Sequence, residues 1–129
     1  MANRKITLTV ASLEILDRVM IELGLQEDRP GALKLALAKG LSESVGEPPE
    51  ITGPNSKFTV GDGVIAKDDD YQMYKHLIIQ RLGHSIDDKD IDDYIHRFLE
   101  FGLSTMEHEL NQLTDLDNYL LYLVEKTQR

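Results

Sequence analysis

Asp87-Asp88-Lys89-Asp90-Ile91-Asp92-Asp93 spaces carboxylates as a calcium loop does. A loop started at Asp88, however, puts Asp93 where glycine must make the sharp turn and Leu99 where a bidentate glutamate is required. The run is therefore read as the capped, solvated start of a helix, where acids favour the helix dipole. The histidines are His76, His84, His96 and His108; no H-E-x-x-H pair exists, and His108-Glu109 lacks the second histidine four residues on. The absence of cysteine removes disulfides, zinc fingers and thiol catalysis. Ser12, Ser85 and Ser104 stand at expected helix starts and none lies in a G-x-S-x-G turn. Gly61-Asp62-Gly63 is too short for a phosphate loop. The sequence assigns no catalytic residue, metal ligand or cofactor, and the expectation is a protein that is not an enzyme.

Recognition chemistry is better represented. Lys5, Thr7 and Thr9 alternate with Ile6, Leu8 and Val10, as on a strand with one buried and one free face. A lysine there reaches guanine acceptors or a phosphate, and a threonine meets a thymine methyl or donates to a base edge. Arg4 precedes this strand, and Arg29 and Lys34 lie in the second helix after it. The candidate nucleic-acid-binding residues are thus Arg4, Lys5, Thr7, Thr9, Arg29 and Lys34. Free amides at the start of that helix, around Arg29, Pro30 and Gly31, also suit an anion, although Glu27 and Asp28 oppose it.

The elements that must position these residues begin with the strand. Ser12 is the expected N-cap of a first helix whose apolar stripe is Leu13, Leu16, Met20 and Leu23 with Ile15 and Val19, and Gly24 is placed to end it. A second helix starts near Asp28 or Arg29, with Pro30 in its first turn and Leu33, Ala36, Leu37, Gly40 and Leu41 inward. Strand, helix, turn and helix in some forty residues are too few to enclose a core. The expected remedy is a ribbon-helix-helix dimer, in which the strands of two copies pair antiparallel and present Lys5, Thr7 and Thr9 to the major groove. A terminal strand on some other small sheet is the plainer alternative.

Three segments follow: residues 1–45 as the ribbon-helix-helix-like unit, 46–67 as a linker, and 68–129 as a small helical bundle packed with the first unit. The linker opens with the proline-broken GEPPEITG. Within it, Lys57–Val60 and Val64–Ala66 flank Gly61-Asp62-Gly63 and read as a short hairpin or a loop. Tyr71, Tyr74, Leu77, Ile78 and Leu82 form the face of a helix that Gly83 breaks; Ile91, Ile95, Phe98 and Leu99 form the next, which Gly102 ends. Ser104-Thr105-Met106-Glu107 matches a capping box for a further helix. A last helix after Thr114-Asp115 buries Leu116, Leu120, Leu123 and Val124. The fold class expected is mainly α and homo-oligomeric, dimer or tetramer.

With 129 residues and 41% hydrophobic content the chain suits one domain or a small unit plus an extension. It has neither an apolar signal core nor a run that approaches the roughly 20 residues needed to span a bilayer, so a cytoplasmic protein is expected. The net charge of -9 opposes nucleic-acid binding, but it is unevenly spread. Up to Gly46, Arg4, Lys5, Arg18, Arg29, Lys34 and Lys39 balance Glu14, Asp17, Glu22, Glu27, Asp28 and Glu43. The acidic excess therefore lies entirely in the remainder.

The order KITLTV, SLEILDRVMIELGL, RPGALKLALAKGLSES, GEPPEITG, SKFTVGDG, YQMYKHLIIQRLG and DIDDYIHRFLEFGLSTM resembles the DndE family of DNA sulfur-modification proteins over nearly the whole chain. The resemblance rests on pattern and order. It implies a largely helical homo-oligomer that binds duplex DNA, with a preference for nicked duplex. It also implies work beside the other proteins of a bacterial phosphorothioation complex, without catalysis of its own. The chain departs from the family in its acidity and its few lysines after residue 40. A ribbon-helix-helix repressor or antitoxin with an acidic partner-binding region, and an acidic adaptor that never touches DNA, are the rival readings.

Overall fold

The strand that begins the chain finds its partner fifty residues later in the same polypeptide. In the computed structural model, which describes residues 6–61, 69–112 and 123–126, β1 (Ile6–Thr9) pairs antiparallel with β2 (Asn55–Val60). Ile6 faces Val60, Thr7 faces Thr59 and Thr9 faces Asn55, with an irregularity between Thr7 and Thr9. This corrects the expected pairing of β1 with a second copy. The physical reason lies in β2, whose Ser56, Phe58 and Val60 are progressively covered while Asn55, Lys57 and Thr59 are exposed. It supplies within one chain the half-buried strand that β1 requires. Of the hairpin considered for Lys57–Ala66, the first arm is a strand but pairs with β1; residues 64–66 lie outside the described residues.

β1 runs directly into α1 (Val10–Leu23). Thr9, not Ser12, is the N-cap: its hydroxyl accepts the Ser12 amide at 3.1 Å. Val10, expected on the inner face of the strand, instead begins the helix and is 41% exposed. Ile15, Leu16, Val19 and Met20 are buried as expected, and Gly24, at φ 69°, closes the helix in the left-handed conformation that glycine tolerates. α2 (Arg29–Glu43) has Asp28 as N-cap and Pro30 in its first turn, and buries Leu33, Ala36, Leu37, Gly40 and Leu41.

α3 (Asp69–Leu82) is followed by α4 (Asp88–Gln112), the central helix. α4 runs unbroken through Gly102, correcting both the expected stop there and the expected start at Ser104. Gly102 is where α4 meets α2. A Cβ on Gly102 would overlap the Ala36 carbonyl, and one on Gly40 would overlap the Phe98 carbonyl. The two glycines let the backbones touch, so glycine here serves helix packing. Leu8, Leu16, Leu33, Leu37, Ile78, Ile91, Phe98, Leu99, Leu103 and Met106 form the centre of one core around this crossing. The core that was expected to need a second copy is enclosed by α4 instead. Of the last helix, Leu116 and Leu120 lie outside the described residues; Leu123–Lys126 is a helical turn with Leu123 half-buried and Val124 exposed.

Candidate nucleic-acid interface

The β1–β2 ribbon has an inner face packed on the core and an outer face open to solvent. Thr7 and Thr59 stand opposite each other on the outer face with their hydroxyls 3.1 Å apart, beside exposed Lys57 and Asn55. Arg29, at the start of α2, places its guanidinium 4.8 Å from the centre of the Phe58 ring, which brings a second cation against β2. It also lies 4.0 Å from Asp17, an exposed pairing that contributes little. Thr7 thus lies on the outer face, whereas Arg29 lies on the Phe58 side of β2, the face opposite Lys57 and Thr59.

The other expected site residues divide. Arg4 and Lys5 lie outside the described residues. Lys34 is exposed on α2, about 140° round the helix from Arg29, and no described contact links it to the ribbon. Thr9 does not belong to the outer face: it is 2% exposed. Its hydroxyl donates to Glu100 Oε1 at 2.9 Å and its amide donates to Glu100 Oε2 at 3.0 Å. The irregularity in the ribbon, together with the N-cap that Thr9 provides, turns it inward. At the start of α2 the Gly31 amide is taken by Asp28 Oδ1 at 3.0 Å, so that amide is capped by the chain's own carboxylate.

Lys57 and Thr59 are the outer-face residues that the sequence alone did not single out. Their signal was the alternation Asn55, Lys57, Thr59 against Ser56, Phe58, Val60, which the short apolar stretch Phe58–Val60 obscured.

No family model, curated protein or solved structure matches this chain. Its own geometry therefore carries the functional argument.

Two contacts hold the ribbon in place. Glu100 of α4 fastens the β1–α1 junction by accepting from Thr9 and from the Ser12 hydroxyl. Burial pushes its carboxyl up, but His96 beside it and the hydrogen bonds from Ser12 and Thr9 outweigh this and hold it below the ordinary glutamate value. His96 Nε2 lies 3.4 Å from Glu100 Oε2, without the alignment of a hydrogen bond, and acts on it as a charge when protonated. Ser12 donates to the carboxylate, so the cluster anchors the junction. The second contact ties down the linker that delivers β2. Arg97 of α4 donates to the carbonyls of Pro48 and Pro49 and pairs with Glu47 at 3.3 Å, and Tyr94 donates to the same Glu47 oxygen at 3.1 Å. Among the described residues no group of three or more histidines, aspartates or glutamates could hold a metal ion, and no helix is long and apolar enough to cross a membrane.

Proposed function

We propose that this chain is a non-enzymatic DNA-binding and assembly component of a bacterial DNA phosphorothioation system, engaging duplex or nicked DNA as an oligomer. The supporting observation is the ribbon, whose outer face offers Thr7, Thr59 and Lys57. The DNA major groove admits a two-stranded ribbon, and hydroxyl and ammonium groups suit base edges and phosphates there. The sulfur-modification context rests on the sequence order that resembles the DndE family. A ribbon-helix-helix repressor would need β1 to pair with its copy in a second chain, whereas here the partner is β2.

The test is fluorescence anisotropy with intact and nicked duplexes of several unrelated sequences across a salt series, with light scattering for the mass. The proposal expects binding that weakens as salt rises, tolerates sequence change and favours the nicked duplex. Strict dependence on a half-site sequence would select the repressor reading. An absence of binding at low salt, where phosphate contacts are strongest, would select the acidic adaptor.

A further inference from the structure

One face of α3 is left uncovered by the rest of the chain, and the residues along it alternate in a definite order. Asp70, Met73, Leu77 and Arg81 recur at three and four residues, so they form one stripe beside the buried Tyr71, Tyr74 and Ile78. All four are exposed, Met73 at 48% and Leu77 at 40%. The stripe carries an acid at one end, a base at the other and two apolar side chains between them, over about 16 Å of helix. Lys75, the other strong cation of α3, is engaged by Asp88 instead of by Asp70. Arg81 gives one N–H to the Ser42 carbonyl at 3.4 Å, a long bond that leaves the rest of its guanidinium able to pair.

Met73 and Leu77 also line a groove of about 590 Å³ between α3 and α2, together with Ala38, Leu41, Tyr74 and Arg81. An apolar stripe beside an unfilled apolar groove suits a helix laid into it. The charges decide which helix. A second α3 set parallel to the first would bring Asp70 against Asp70 and Arg81 against Arg81, and like charges repel. Turned head to tail about a two-fold axis, each Asp70 meets the Arg81 of the other copy, and the Met73 and Leu77 side chains of both lie between these pairs, next to the two grooves. The helix dipoles then run in opposite directions, which favours the same arrangement. A single surface complements itself twice, as an isologous contact between identical chains requires.

We infer that two copies of this chain join through antiparallel α3 helices, with Met73 and Leu77 of each turned toward the α2–α3 groove of the other and an Asp70–Arg81 bridge closing each end. Methionine suits such a seam because its unbranched side chain adapts to the surface it meets. The bridges are exposed and add little strength; their effect is to fix orientation and partner. A chain of net charge -9 repels its own copies as a whole, so local complementarity of this kind is what selects the contact. The pairing gives a surface to the oligomer of the proposed function and rests on that reading for its role, although the contact itself needs no DNA.

Sedimentation equilibrium on the full chain without DNA tests it. With rising concentration the parent chain should approach twice its 14.6 kDa mass. Asp70→Arg and Arg81→Asp should each raise the dimer Kd about tenfold, because each turns two attractions into two repulsions, while the circular dichroism stays that of the parent. An equimolar mixture of the two variants should regain the parent Kd, since a mixed pair is complementary at both ends; a residue that served only its own fold would give no such rescue. The pairing is overturned if the parent stays monomeric up to about 1 mM. It is equally overturned if either single variant keeps the parent Kd, or if the mixture fails to regain it. A dimer that binds no duplex strikes only the DNA reading, and duplex binding by a monomer strikes only the pairing.

Discussion

Thr9 shows how one residue can be claimed by two roles and awarded to the structural one. Its hydroxyl accepts the Ser12 amide and donates to Glu100, and its amide reaches the other Glu100 oxygen. A side chain with all these partners in a buried position is not available to a ligand. Glu100→Gln should remove the charge from these bonds and lower stability by about 1.5–3 kcal/mol, read by urea denaturation. The pH dependence has a definite sign. Because the folded carboxyl titrates below the unfolded one, ionised Glu100 stabilises the fold above the ordinary glutamate range, and this contribution is lost as pH falls through the lowered folded value. The Gln variant should therefore show a shallower acid limb; an identical limb would remove Glu100 from acid unfolding. On the outer face, Lys57→Ala should weaken duplex binding and reduce its salt slope by about one counterion. An unaltered slope in the anisotropy series would take Lys57 out of the interface.

At the scale of elements, the crossing of α2 and α4 decides the architecture. Gly40 and Gly102 face each other's helices so closely that neither backbone accepts a methyl group. Gly102→Ala, which would raise intrinsic helix propensity in an isolated peptide, should here destabilise the protein by about 1–3 kcal/mol or more, since the carbonyl of Ala36 cannot yield without moving α2. Thermal unfolding of Gly102→Ala beside Gly24→Ala makes the contrast, because nothing lies near a Cβ at Gly24 and only its positive φ is strained. Equal losses in the two would show that the helices do not meet as described. The ribbon depends on α4 in the same way, through Glu100 at the strand junction and Arg97 on the proline linker.

For the molecule as a whole, the separation of roles follows charge. The outer face of the ribbon carries Lys57, while Asp69, Asp70, Asp88, Asp90 and Asp93 crowd the starts of α3 and α4. A chain of net charge -9 repels DNA as a whole, so binding through the outer face of the ribbon should weaken as salt rises. Folding is equally global. Leu37 is wholly buried in the core around the α2–α4 crossing, and Leu37→Asp should abolish the cooperative unfolding transition followed by circular dichroism. A variant that melts like the parent would show that the core lies elsewhere.

Because caps, turns and apolar stripes act over three or four residues, local signals in the sequence determined the strand, the two helices after it and the turn between those helices, but not the start of α1, which Thr9 caps where Ser12 was expected. Gly24, Asp28 and Pro30 each mark in the structure the boundary their chemistry implies. Only the tertiary structure decided which strand completes the ribbon, which threonines face outward, and that Gly102 joins two helices instead of ending one. Those outcomes rest on contacts across distant stretches of chain, Thr7 with Thr59, Thr9 with Glu100 and Gly40 with Gly102. Glycine in particular reads alike in sequence whether it frees a backbone to turn or clears space for a neighbour, and the neighbour exists only once the chain has folded.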